Sequence, residues 1–252
     1  MTGRNQQGSE PTGLAMFARY AFPPNERGYC GPDDQGFALR NAATTTPGDV
    51  ANLAQSFSGA WPYLEFIADE TGNRDPLDAS VVEAYWLGVG VIDEVDLSVN
   101  GAALFGRLGP QAGWTLDHLD GAIDAGALPH HGFHVFEVYP WAGLLSTGRP
   151  KPLRILDQCR IRWGRVVSVD SDMVVVRSRP LTWDGDTLGL GSPRLESVRL
   201  EEGGLSLRII PKPGEWVALH WDWLCDRLPP RHLNALRRST RRQLEITSRR
   251  FG

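Results

Sequence analysis

The apolar periodicity of this chain changes once, near Pro152, and that change constrains the fold more than any other feature. Before it, apolar residues recur every three or four positions, as on a helix. After it they alternate, the spacing of strands with one buried face. In the first stretch Val50, Leu53, Ala54 and Phe57 share a helical face behind Asp49, a residue type that caps helix N-termini. Trp61-Pro62 opens a second helix through Leu64, Ile67 and Ala68 to Gly72, with proline in the first turn, where its missing N–H is not needed. A third begins at Asp78 and carries Val81, Val82, Tyr85, Trp86, Val89 and Ile92, a stripe wide enough for the centre of a bundle. A fourth is expected over about 115–124, stopped by Gly126. The apolar segment from Met16 is expected to stop at Pro23-Pro24.

In the second stretch, strands are expected at about 160–169, 173–179, 196–200, 206–210 and 215–220. Turns fall at Asp170–Asp172, Trp183–Asp186, Glu202–Gly204 and Pro213-Gly214. In the first strand, alternation places Ile161, Val167 and Val169 on one face, which Arg162 joins only if the strand bulges. Short strands with tight turns favour a small closed barrel, because closure removes exposed edges. Pro229–Arg250 then sets Leu233, Leu236, Leu244 and Ile246 among seven arginines, a basic helix packed on the barrel by its leucines. The expected class is α+β. A flexible tail (1–13) precedes an acidic all-helical domain (14–148), and a small OB-like β-barrel with a C-terminal helix follows (153–252). The boundary is placed in the Gly/Pro/Ser loop Ser146–Pro152.

Charge divides along the same line. Residues 1–150 hold 18 acidic and 7 basic side chains, whereas 151–252 hold 12 acidic and 19 basic ones. Halves of opposite sign either attract each other or meet different partners. Nucleic acid is not the expected partner, because the acidic half repels phosphate and the basic half lacks aromatics interleaved with lysines. Three cysteines, Cys30, Cys159 and Cys225, are too few and too odd in number for a disulfide framework, which points to reduced thiols. Met1–Pro11 is polar, unlike a signal peptide, and no apolar run approaches the roughly 18 residues of a membrane span. A soluble, cytoplasmic protein is expected.

Several residues carry chemistry. Cys30 sits in the Gly- and Pro-punctuated loop Arg27–Asp34, open to approach. His130, His134 and Glu137 share one face if helical, with His131 and Tyr139 to the side, a donor set suited to iron or zinc. Their order is neither the His-Glu-x-x-His of zinc proteases nor the Glu-x-x-His of di-iron bundles. Glu65 and Glu83 on other helices would complete such a site; otherwise the histidines are buried or cap a helix. Cys225, on an expected barrel-to-helix connection, reads as a buried thiol.

The stretch from Cys159 to Val176 is a cysteine, a strand with Gly164-Arg-Val-Val, an acidic turn and a second strand. Farther on, Lys212-Pro-Gly-Glu-Trp-Val-Ala-Leu-His220 places a Pro-Gly turn before a strand that ends in histidine. In order and spacing these blocks resemble the HypC/HupF family of NiFe-hydrogenase maturation chaperones, over roughly 153–245 and not over the helical half. In that family the cysteine becomes the N-terminal residue; Cys159 is internal. The resemblance implies that Cys159 holds iron while its cyanide and carbonyl ligands are installed, with His220 as a second ligand or a hydrogen-bond partner. Arg160, Arg162 and Arg165 would support the thiolate and the anionic cyanides. The implied partners are the hydrogenase large subunit and other maturation proteins, including HypD-like ones. Three readings stay open for the helical half. It is a docking module with an acidic surface, or an iron-dependent enzyme that makes or modifies a ligand with His130, His134, Glu137 and Cys30. In the third, the basic barrel and arginine helix form a non-catalytic nucleic-acid-binding module.

Overall fold

The structure, a computed structural model, describes residues 12–33, 39, 47–108, 118–202, 205–206 and 209–251. It is α+β. Helices α1 (Gly13–Glu26), α2 (Pro47–Gln55), α3 (Trp61–Glu70), α4 (Ala79–Leu87), α5 (Leu97–Leu108) and α6 (His118–Asp124) come first. A helical turn over 131–138 leads to α7 (Pro150–Cys159), and strands and a last helix, α8 (Pro230–Ser248), follow. The expected tail and the start of the expected fourth helix lie mostly outside the described residues; of the expected strand 206–210, residues 207 and 208 lie outside them, Ser206 ends a two-residue strand and 209–210 are irregular.

The central helix is where its wide stripe placed it. Asp78 caps α4 by accepting from Ser80 N–H at 2.8 Å, and Gly88 ends it in the left-handed conformation, so Val89 and Ile92 fall beyond it. Its Val81, Val82, Tyr85, Trp86 and Leu87 are all buried. Helix α1 departs from expectation: it runs through Pro23 and Pro24. Pro24 has no N–H to offer the carbonyl four residues back, that of Tyr20. That carbonyl instead accepts from His220 Nδ1 at 2.7 Å. The helix continues because a side chain from the sheet supplies the missing donor.

Strands β1 (Arg162–Asp170), β2 (Met173–Ser178), β5 (Arg194–Arg199), β9 (Trp223–Arg227) and β8 (Trp216–His220) pair in that order, and β8 returns to β1 to close the ring. The β5–β9 seam is thin, a single parallel pair Arg199↔Trp223. A bulge between Val166 and Ser168 in β1 shifts the register, turning Val166 inward and leaving Val167 45% exposed. Arg162 is buried, as a bulged strand allows. Gly164 has a packing reason: a β-carbon there would lie 2.9 Å from Val176 Cβ.

Four features were not anticipated. The Ser146–Pro152 loop is shorter than expected, because α7 begins at Pro150. The turn at 183–186 belongs to a separate hairpin of β3 (Leu181–Trp183) and β4 (Leu188–Leu190). Residues 223–227, expected as a connection, form β9 after a two-residue turn in which Trp221 takes φ +55°. A further short pair joins β6 (Glu201–Glu202) to β7 (Leu205–Ser206).

Helix α8 forms as expected but packs elsewhere. Leu233, Leu236 and Ile246 join the core of the N-terminal helices, and Leu244 packs with α7 and the β3–β4 hairpin. That main core runs from α1 and α4 through Ile161, Trp163, Ala218, Trp223 and Cys225, so helices and sheet share buried surface. Phe22 of α1 meets Trp223 of β9 edge to face at 4.8 Å. Ion pairs cross the same boundary: Arg19 with Asp226 at 2.5 Å, Arg231 with Glu83 at 3.4 Å, and Arg27 with Asp222. Among the described residues no helix is long and apolar enough to cross a membrane.

Candidate metal centre

Three buried donors converge where helices meet sheet: His131, Cys159 and His220. One ligand atom of each lies within 4.8 Å of the others. His131 opens the turn between α6 and α7, Cys159 is the last residue of α7, and His220 ends β8. Arg160 adopts extended geometry and stops α7, while Trp221 N–H donates to Gln158 O at 2.8 Å, tying the end of α7 to the end of β8. The imidazole rings of His131 and His220 lie 5.1 Å apart, and Trp86 of α4 packs on both, at 4.7 and 5.8 Å.

Each imidazole is oriented through one nitrogen, leaving the other as an acceptor. His220 Nδ1–H donates to the Tyr20 carbonyl, and its Nε2 is buried without a hydrogen-bond partner. His131 Nε2–H donates to the Cys159 carbonyl at 2.8 Å, with Nδ1 3.4 Å from Tyr85 Oη. Ring N–H groups fixed by carbonyls are the usual support of metal-ligating histidines. A buried nitrogen without a partner costs free energy, which a cation at Nε2 would remove. Burial lowers the His131 pKa to about 4 and drives that of His220 well below its usual range, so both rings are neutral and able to ligate at pH 7. Burial, assisted by Cys30, pushes the Cys159 thiol up, so a binding cation displaces its proton. Two imidazoles and one thiolate suit a borderline cation such as iron, zinc or copper, and three protein donors leave coordination positions for outside ligands.

The other expected site residues disperse. His130 does not begin a continuous helix. It is extended and caps the turn, its Nδ1 accepting from Phe133 N–H at 3.2 Å. Residues His134–Val138 then form a π turn, whose wider winding breaks the four-residue spacing that would align the set. His134 Nδ1 meets Tyr63 Oη at 3.2 Å. Glu137 faces α8 instead, accepting from Gln243 Nε2 at 2.8 Å and Thr247 Oγ1 at 2.5 Å, with Arg250 at 3.3 Å. Glu83 pairs with Arg231 and His232, and Glu65 on α3 is outside the cluster.

The arginines do not serve the thiol as expected. Arg160 binds Asp157 at 2.9 Å and the Arg179 carbonyl at 2.7 Å. Arg162 Nη1 donates to both Glu196 carboxylate oxygens, at 2.6 and 2.7 Å, and Nη2 donates to the Trp221 carbonyl. Arg165 points out, its Nε 3.4 Å from the Gly214 carbonyl. Their guanidinium groups are engaged elsewhere, so burial sets the state of Cys159. Arg162 still matters to the centre, because it positions the residue after His220. Cys225 is buried, as expected. His131 is the donor that sequence spacing set aside; its signal was its place directly after a capping His130.

No curated protein and no solved structure matches the chain. Residues 9–252 match the model described as a family of unknown function (DUF6390), and the chain belongs to that family.

Proposed function

We propose that the chain is a NiFe-hydrogenase maturation factor that binds or delivers iron carrying CO and CN ligands, with Cys159 and His220 as ligands and His131 as a third. One observation carries this reading: the two residues singled out by the HypC/HupF resemblance, Cys159 and His220, meet within 4.8 Å in a buried cluster. The closed five-strand ring, read as an OB-like barrel, is consistent with it. The internal cysteine has no free amino group beside it, and His131 from the helical half stands in that place as an additional donor. The helical half is thereby a structural part of the site. It is also a docking module for the hydrogenase large subunit or a HypD-like partner in the cytoplasm. The ligand-making reading is weaker, because His130, His134 and Glu137 face three different neighbours.

The chemistry required of the chain's own residues is limited. Cys159 gives up its proton as iron binds, His131 and His220 donate neutral nitrogens, and Trp86 excludes water from the site. The test is anaerobic expression beside a hydrogenase system, followed by infrared spectroscopy of the purified chain. Bands of iron-bound CO and CN are expected, and are lost in Cys159→Ala and His220→Ala. Protein that never carries such bands, in a host whose hydrogenase matures normally with Cys159→Ala, would contradict the assignment.

A further inference from the structure

A pocket lies one residue away from the cluster. It encloses about 210 Å³ and is lined by Tyr29, Cys30, Gly31, Ser58, Gly59 and Tyr139. Asn25 Nδ2 pins its loop by donating to the carbonyls of Cys30 (2.9 Å) and Pro32 (2.7 Å). Behind Gly59 stands His134, only 2% exposed, whose Nε2 has no hydrogen-bond partner. A β-carbon on Gly59 would lie 2.9 Å from that nitrogen and 3.6 Å from Tyr139 Oη, so glycine alone lets the pocket wall come this close to the imidazole. The rings of His134 and Tyr139 are 4.4 Å apart, and the Tyr139 hydroxyl interacts with the Cys30 side chain. Among the described residues the pocket and the imidazole behind it offer a thiol, an unpartnered nitrogen and no carboxylate, a soft donor set.

The pocket also adjoins the inner centre. Tyr85 Oη donates to the Gly59 carbonyl at 3.1 Å and lies 3.4 Å from His131 Nδ1. One residue therefore separates the wall of the pocket from a ligand of the cluster. We propose that this pocket is a loading station, where Cys30 Sγ and His134 Nε2 hold a soft cation before it passes inward to Cys159, His131 and His220. Cys30 releases its proton to solvent through the open pocket as the cation binds, and regains one when the cation leaves. The station rests on the reading of the inner cluster as a metal centre.

The test is anaerobic titration of the full-length chain with Cd²⁺, following thiolate-to-metal absorption. Two thiolate-bound equivalents are expected for the wild type and one for Cys159→Ala. None is expected once Cys30→Ser is added to Cys159→Ala. In stopped-flow mixing, Cys30→Ser is expected to slow loading of the inner site about tenfold at unchanged final occupancy, the lower end of what losing one residue that supports a metal centre costs. If Cys159→Ala binds no Cd²⁺ and Cys30→Ser loads at the wild-type rate, the station is wrong and the inner centre stands. If the wild type binds one equivalent that only Cys30→Ser removes, the inner centre and the relay both fall.

Discussion

Replacing Trp223 by alanine is expected to destabilise the fold by about 3–5 kcal/mol, the range for deleting a large aromatic side chain from a packed core. Trp223 is among the largest fully buried side chains and packs in the core that α1 and α4 share with the sheet. Its edge-to-face contact with Phe22 and its place on β9, at the thin seam to β5, bind helices to ring. Its indole N–H has no hydrogen-bond partner, so the loss is one of packing alone. In urea denaturation followed by circular dichroism, helical and sheet signals are expected to shift together to a lower midpoint. Helices that melt at the wild-type midpoint while the sheet alone is weakened would contradict a shared core.

Acid is expected to weaken the metal-free protein well before its carboxylates titrate. Burial lowers His130 and His131 to about 4 and His134 to about 3, and drives His220 well below the usual 6.5; charge on His131 adds to this at the other three. The unfolded chain takes up protons near pH 6.5 that the folded chain refuses. Stability is therefore full above pH 6.5 and drains as pH falls towards 4, by about 1.4 kcal/mol per pH unit for each histidine. Between pH 7 and pH 5 the sum is several kcal/mol, visible as a falling urea midpoint. His130→Asn keeps a capping acceptor while removing one titrating ring, and is expected to flatten the slope by about one histidine's share. A midpoint that stays level from pH 7 to pH 5 would show that these rings do not resist protonation.

Much of this architecture is legible in residue order, for local reasons. Asp78, the wide apolar stripe behind it and Trp61-Pro62 act within a few residues, so α3 and α4 can be read directly. The hairpin after Cys159 and the leucine side of α8 are equally local. What escapes depends on distant partners. Pro23-Pro24 reads as a stop because the donor that rescues the Tyr20 carbonyl is His220, two hundred residues away. Strand β9 is short and follows a turn that needs positive φ at a tryptophan, a choice no turn rule favours. The site divides in the same way. Cys159 and His220 sit in motifs whose order carries a resemblance, whereas His131 gains its role only when the turn at 131–138 is placed against α7 and β8.

The most direct measurement is X-ray absorption on the Cys30→Ser chain loaded with one equivalent of zinc, which leaves the inner cluster as the thiolate-bearing site. One sulfur scatterer at about 2.3 Å and two imidazole nitrogens at about 2.0 Å are expected, with the sulfur lost in Cys30→Ser combined with Cys159→Ala. Zinc bound only by oxygen and nitrogen, or a sulfur signal that persists without Cys159, would contradict it.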